Sequence, residues 1–357
     1  MNKGISSSSR PIAIWIMIGV CMLIVQIILG GITRLSGSGL SITEWNLITG
    51  ALPPLNEQQW LAEFDKYKQT PQFHLLNFDF TLKDFKFIFF WEWLHRFWAR
   101  FMGVVFVIPF IIFVFQRRFN QSMIRPMIIL FLLGALQGAV GWIMVASGLT
   151  GDAIYVAPTK LALHFVFALG LLCYTFWFAL QLVVPRDQII VNAPLRKLTW
   201  AILAFVFLQL IYGALMAGNK AATAAPTWPD INGSFIPPHM FASSDAYLNL
   251  LGNKITIHFI HRLLAYIILI LIIVWTIKAY KIPGSSLFNK IKPLPVIIVG
   301  LQVLLGILSV MMSTHIIPNR WGIFEWMAQF HQIVAILLLL SCIGMLYVTR
   351  NKELRNN

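Results

Sequence analysis

Residues 86–115 read KFIFFWEWLHRFWARFMGVVFVIPFIIFVF, thirty positions at which only Lys86, Glu92, His95, Arg96 and Arg100 can carry a charge. An apolar helix of about 20 residues crosses the roughly 30 Å hydrocarbon core of a bilayer, so this stretch predicts one membrane span. Seven further windows of the same kind lie at 12–32, 126–147, 160–184, 198–218, 254–280, 293–314 and 324–348. The expected fold is therefore an all-α membrane protein with eight transmembrane helices. Composition agrees: of 357 residues, 58% are hydrophobic and 11% charged, against about 25% charged in ordinary soluble domains. That leaves too little polar surface to face water all round, which excludes a soluble globular protein.

A net charge of +14 invites a nucleic-acid reading, and the position of the cations answers it. With alternate connections on alternate sides, one side gathers Lys3, Arg10, Arg117, Arg118, Arg125, Arg186, Arg196, Lys197, Lys278, Lys281, Lys290, Lys292, Arg350, Lys352 and Arg355, against only Asp187 and Glu353. The other side is nearly balanced. Excess Lys and Arg marks the cytoplasmic side, so both termini are expected there, with the lipid bilayer rather than nucleic acid as the partner surface. Neither a removable signal nor a transit peptide is read before residue 12, and a bacterial cytoplasmic membrane is the expected location. Cys21, Cys173 and Cys342 all fall in apolar runs, which implies small buried side chains and no disulfide framework.

Two connections on the outer side, about 33–85 and 219–253, are long enough to carry structure. In the first, Trp60, Leu61, Phe64 and Tyr67 recur at helical spacing among Glu57, Glu63, Asp65 and Lys66. This predicts an amphipathic helix over 56–67, lying on the outer membrane surface. Gly-rich GGITRLSGSGLS (30–41), Trp45 and Pro53-Pro54 flank it, and the second loop echoes them with GALMAGNKAA (213–222), Trp228 and Pro237-Pro238. Gln-x-x-x-Gly recurs in all four odd-numbered spans, at Gln26/Gly30, Gln137/Gly141, Gln209/Gly213 and Gln302/Gly306. The parallel divides the chain into two four-helix halves, 1–185 and 186–357. A glycine one turn from a glutamine lets helices pack closely in lipid, and the same gap admits a flat ligand; both readings stay open.

Five of the eight histidines lie in even-numbered spans, and besides His258 four of them stand out by position: His95, His164, His261 and His331. His164 follows His95 by 69 positions and His331 follows His261 by 70, while the two pairs are offset by 166 and 167. Each sits at a depth of roughly 8 to 14 Å from the outer end of its span, at 1.5 Å per residue. One histidine inside lipid is most simply a helix-to-helix hydrogen bond; two per half, at matched depth and duplicated, point to a ligand. Two facing imidazoles in a helical bundle suit six-coordinate haem iron. Zinc usually takes further Cys, His or carboxylate ligands, for which only the first half has a candidate.

Arg96 and Arg262 directly follow His95 and His261. An arginine at the centre of a span costs ~2.5–3.5 kcal/mol on insertion scales, so each calls for an anionic partner. A haem propionate fits, since a guanidinium grips a carboxylate with two parallel hydrogen bonds; snorkelling to headgroups is the plainer account. Phe90, Trp91, Trp93, Phe97 and Trp98 either wall a porphyrin or form a lipid-facing belt. The halves differ where chemistry is to be sought: Glu92 stands three residues before His95, and His258 holds the matching place before His261. A carboxyl group beside haem suits a proton acceptor or relay, so the first half reads as catalytic and the second as an electron-holding or structural site. Orienting a polar neighbour is the bland alternative for Glu92. For His74, His239 and His315 surface exposure suffices.

Taken together, GGITRLSGSGLSITEW (30–45), the prolines at 53–54, EWLHR (92–96), IHRLLAY (260–266) and FHQ (330–332) resemble the haem A synthase family, over nearly the whole chain. The resemblance implies an oxidoreductase that converts a methyl group of haem O to a formyl group through a hydroxymethyl stage, making haem A for cytochrome oxidase. It implies that His95 and His164 flank the substrate haem, that Glu92 acts beside the methyl, and that His261 and His331 ligate a resident haem B. It also implies the company of haem O synthase, oxidase assembly factors and an electron donor or acceptor of unspecified identity. Some members carry a cysteine pair in an outer loop; this chain has none there, which leaves no thiol pair for a redox step. Two histidines on the substrate iron leave no place for oxygen, so either one is displaced in turnover or water supplies the formyl oxygen. A dihaem b-type membrane electron-transfer protein is the alternative. A prenyltransferase would need paired Asp-rich motifs, which the spans lack, and a transporter would leave the doubled histidines incidental.

Overall fold

The computed structural model describes residues 10–44, 50, 52–238, 240–241, 243–317 and 320–351; Lys3, Trp45, His239, Lys352, Glu353 and Arg355 lie outside them. Among the described residues eight helical segments are long and apolar enough to cross a membrane. They are α1 (Arg10–Leu35), α4 (Leu82–Phe115), α5 (Gln121–Ala146), α6 (Pro158–Val183), α7 (Ala193–Gly218), α8 (Lys254–Tyr280), the segment Ser286–His315 that joins α9 (Ser286–Ile291) to α10 (Leu294–Met311), and α11 (Ile323–Val348). The short helices α2 (Glu57–Lys68) and α3 (Pro71–Leu76) lie between α1 and α4. The chain is thus a multi-pass, essentially all-helical membrane protein.

Local chemistry sets the helix ends. The span over α4 starts four residues earlier than its apolar run because Thr81 and Asp84 form a reciprocal capping box, the Thr81 amide donating to Asp84 Oδ2 at 2.9 Å. Asn253 caps α8 by accepting from the amides of Ile255 and Thr256. Helix α1 runs on to Leu35, past the expected end at residue 32, and so takes Arg34 into the span.

Helix α1 packs against α4, α6 and α11; α6 also meets α5 and α7; α7 meets α8 and α11; and α10 lies against α8 and α11. Glutamines stitch α11 to α1: Gln332 donates to Ile27 O at 2.9 Å and Gln329 to Ile28 O at 3.3 Å. Gly31 permits this approach, since a Cβ there would stand 2.5 Å from Gln329 Oε1. The apolar core is densest at the end where α1 begins and α11 finishes, around Ile12, Trp15, Phe178, Ile202, Trp275 and Met345. At that end β1 (Ile190–Val191) pairs in parallel with β2 (Thr349–Arg350), and Arg196 donates to Leu346 O and Thr349 O. The opposite end is left looser, and the histidines lie toward it.

The amphipathic helix forms as α2, and its aromatic residues Phe64 and Tyr67 are turned onto α4. Phe64 and Tyr67 are buried and stack on Phe85 of α4 at ring separations of 5.0 and 5.3 Å, with Trp60 edge-on to Phe89 at 5.0 Å. Phe85, Ile88 and Phe89 form an aromatic shelf that lipid need not cover. The Tyr67 hydroxyl donates to Gln72 at 3.0 Å and accepts from Asn77 at 2.7 Å, and Gln72 donates to Ile154 O.

Burial pushes the Tyr67 phenol up to about 12. A raised phenol pKa stabilises the docked form fully below about pH 10, the unfolded value, and this stabilisation is lost as pH climbs through 12. Docking of 57–81 onto α4 is therefore expected to loosen between these limits, measured as rising protease sensitivity of that segment. Tyr67→Phe should lose this pH dependence.

Candidate functional site

A cavity of about 1320 Å³ runs between the helices, and its walls include His95, His164, His261 and His331 with all four Gln-x-x-x-Gly pairs. It exceeds the ~300–1,000 Å³ of an ordinary small-molecule site. Its walls draw on both halves of the chain.

Each glycine of the repeated motif seats one histidine. A Cβ on Gly30 would stand 3.1 Å from His95 Cε1; on Gly141, 2.8 Å from His164 Cε1; on Gly213, 3.3 Å from His261 Cε1; on Gly306, 3.0 Å from His331 Cε1. The glutamine one turn away reaches the same ring. Gln26 Nε2 lies 3.2 Å from His95 Nδ1 and donates to His95 O at 3.2 Å, and Gln137 repeats both contacts with His164 at 3.2 Å. Gln209 Nε2 is 3.2 Å from His261 Nε2, and Gln302 Nε2 is 3.3 Å from His331 Nε2. The gap beside each glycine thus admits the edge of an imidazole, so the motif serves close packing of the histidine-bearing helix.

Two observations bear on what the rings hold. The His261 and His331 ring centres are 6.3 Å apart, with planes tilted by 71°. Metal–imidazole bonds of about 2 Å on either side of one ion, plus the half-width of each ring, come to roughly that separation. His95 and His164 line the same cavity. Two imidazoles facing one another at the His261–His331 separation are a donor set that fits a macrocycle-held iron, whose ring would supply the other four ligands. Oε1 of Gln26, Gln137, Gln209 and Gln302 is buried without a hydrogen-bond partner, leaving a spare acceptor beside every ring of the kind that orients metal-bound imidazole.

Glu92 and Arg96 hold the connection between α1 and α4. The Glu92 carboxylate is buried and accepts from Ser41 Oγ at 2.7 Å, from the Ile42 amide at 2.9 Å and from Arg96 at 2.6 Å. Arg96 also donates to Ile42 O and Glu44 O. The second half builds the same clamp from other parts: buried His258 donates from Nε2 to Ala221 O at 2.8 Å, and Arg262 donates to Asp230 O and Ala225 O at 2.7 and 2.9 Å. In each half a pair one turn apart, Glu92/Arg96 or His258/Arg262, pins the loop that follows the glycine-bearing helix onto the histidine-bearing one. All four also line the cavity. Phe90, Trp91, Trp93, Phe97 and Trp98 are absent from its wall; Trp93, Phe97 and Phe101 stack along α4 instead, at 5.2 and 6.3 Å. The glutamine contacts, Ser41 and Arg34 went unread in the sequence, although the repeat of Gln-x-x-x-Gly was the signal for the first.

Eight spans enclosing a cavity lined by four glycine-seated histidines define a class of multi-pass integral membrane protein with a large internal cavity. The chain belongs to the COX15-CtaA family, cytochrome oxidase assembly protein, whose pattern matches residues 13–343. It is similar to the heme A synthase of Flavobacterium psychrophilum, at 38% identity over 337 residues, covering 93% of this chain and 96% of the relative. The heme A synthase of Flavobacterium johnsoniae is also 38% identical over 337 residues, covering 93% and 95%. That of Nitrosospira multiformis is 35% identical over 349 residues, covering 97% and 94%.

Adding one methyl at a seat tests the geometry. Gly141→Ala forces His164 to move and is expected to destabilise by about 1–3 kcal/mol through overpacking, read as a lower unfolding temperature of the solubilised protein. Gly134→Ala, where nothing lies within 4 Å of the new Cβ, should be neutral or slightly stabilising.

Proposed function

We propose that this chain oxidises the methyl group of haem O to a formyl group, yielding haem A for cytochrome oxidase. The observation that carries the reading is the doubled histidine seat, set in a chain aligned over nearly its whole length with relatives named heme A synthase. His95 and His164 take the substrate macrocycle, and His261 and His331 take a resident haem B. Arg96 and Arg262 directly follow His95 and His261 and line the cavity, each a cation beside its site for the propionates. The iron macrocycles, when bound, supply the redox chemistry. The relatives' names do not favour the dihaem electron-transfer alternative.

The protein's own share is binding, orientation and proton handling. The histidine pair fixes the plane of the substrate, which is worth several orders of magnitude when the reacting carbon is held in place. Oxidation of methyl to formyl releases protons, and Glu92 is the carboxylate of the first site placed to accept them. Its bonds to Ser41, Ile42 and Arg96 hold both carboxylate oxygens at fixed positions. The cation asymmetry between the two faces supports a bacterial cytoplasmic membrane with the sites toward the outer side. Haem O synthase, oxidase assembly factors and an electron carrier are the partners this reading calls for.

Pigment extracted from wild type and Glu92→Gln tests the assignment. Both should carry haem B. In the variant, haem A should fall by about 10²–10⁴-fold, the usual range for a lost acid–base group, while haem O or its alcohol accumulates. Undiminished haem A would remove Glu92 from the reaction.

A further inference from the structure

Gln26, Gly30 and Arg34 follow one another at i, i+4 and i+8 on α1. Arg34 therefore continues the face that reaches and seats His95, one helical turn of about 5.4 Å further toward the outer loop. At the matching place after the other three glycines stand Val145, Ala217 and Val310, so only the first seat carries a cation there. Arg34 lines the cavity, and its guanidinium makes no hydrogen bond among the described residues.

Its charged surroundings are unequal in sign. Buried Glu325, in the first turn of α11, attracts it electrostatically, while Glu325 Oε2 already accepts from the Gly322 amide at 2.8 Å. Lys220 approaches from the connection after α7. Its backbone is left-handed at φ 49°, and its Nζ lies 3.3 Å from the centre of the Tyr155 ring. Burial, with Arg34 and Lys254 nearby, pushes the Lys220 amine down to about 8. Two cations against one acid, facing the interior of a mainly apolar cavity, call for an anion. Arg96 already donates to Glu92, Ile42 O and Glu44 O.

We propose that Arg34, backed by Lys220, binds a propionate carboxylate of the macrocycle held between His95 and His164, and so fixes its rotation about the axis through the two histidines. Two axial ligands leave that rotation free, and a carboxylate anchored on one side decides which edge methyl is presented to Glu92. Arg34 is thus a positioning residue that selects the methyl. The proposal rests on the haem reading of the preceding subsection.

The test is binding of haem O and of haem O dimethyl ester, which lacks the carboxylates, to detergent-solubilised protein carrying its resident haem. Wild type should bind the free acid more tightly than the diester. Arg34→Gln should weaken the acid by about 10–100-fold, the range for losing a hydrogen bond to a charged group, and leave the diester unchanged; Arg34→Lys should recover part of the loss, and Lys220→Met should show a smaller one. The low-spin spectrum of the resident haem, on His261 and His331, reports that each variant is folded. If Arg34→Gln binds the acid as wild type does, or loses acid and diester alike while that spectrum persists, the proposal is overturned. If wild type binds neither compound with a two-imidazole spectrum, the haem reading fails and takes this proposal with it.

Discussion

The site depends on placing an imidazole ring against a glycine inside a membrane. A ring nitrogen in hydrocarbon has no water to pair with, and a helix with an ordinary side chain at that position would hold the neighbouring helix too far off for its own polar groups to reach the ring. Glycine removes the obstacle at Gly30, Gly141, Gly213 and Gly306, and the glutamine a turn away supplies the polar contact. Four histidines are thereby held by neighbours before any ligand contributes. Preorganisation of this kind lowers the cost of ordering the site when the ligand arrives.

The two long connections depend on the same helices. Glu92 with Arg96 and His258 with Arg262 hold the two long connections over the cavity, through hydrogen bonds to backbone groups at Ile42, Glu44, Ala221, Ala225 and Asp230. The two clamps differ in chemistry, one built on a carboxylate and the other on an imidazole. A carboxylate can accept a proton from a substrate as well as hold a loop, whereas His258 spends its Nε2 hydrogen on Ala221 O. The same kind of clamp thus occurs with an acid at one place and an imidazole at the other.

Packing follows a similar division of labour. The dense core at one end of the bundle, closed by the short β1–β2 pairing and by Arg196, leaves room for a large cavity toward the other end. The cost of an open interior is met where it does not interfere with the ligand. Helix α2 covers α4 by burying its aromatic face on it.

Hydrophobicity alone determined the eight spans, because a backbone crossing lipid must satisfy its own hydrogen bonds and only long apolar helices do so from local sequence. Periodicity likewise placed His95, His164, His261 and His331 at one depth, since depth along a helix is a matter of counting residues. What a helix faces is not local. That Gly141 receives His164 rather than a neighbouring backbone, that Glu92 meets Ser41 across 51 positions, that α2 stacks on Phe85, and that Arg34 rises above the first seat all depend on which helices become neighbours and at what rotation. Those choices are made by packing between distant segments, so they were decided only in the tertiary structure.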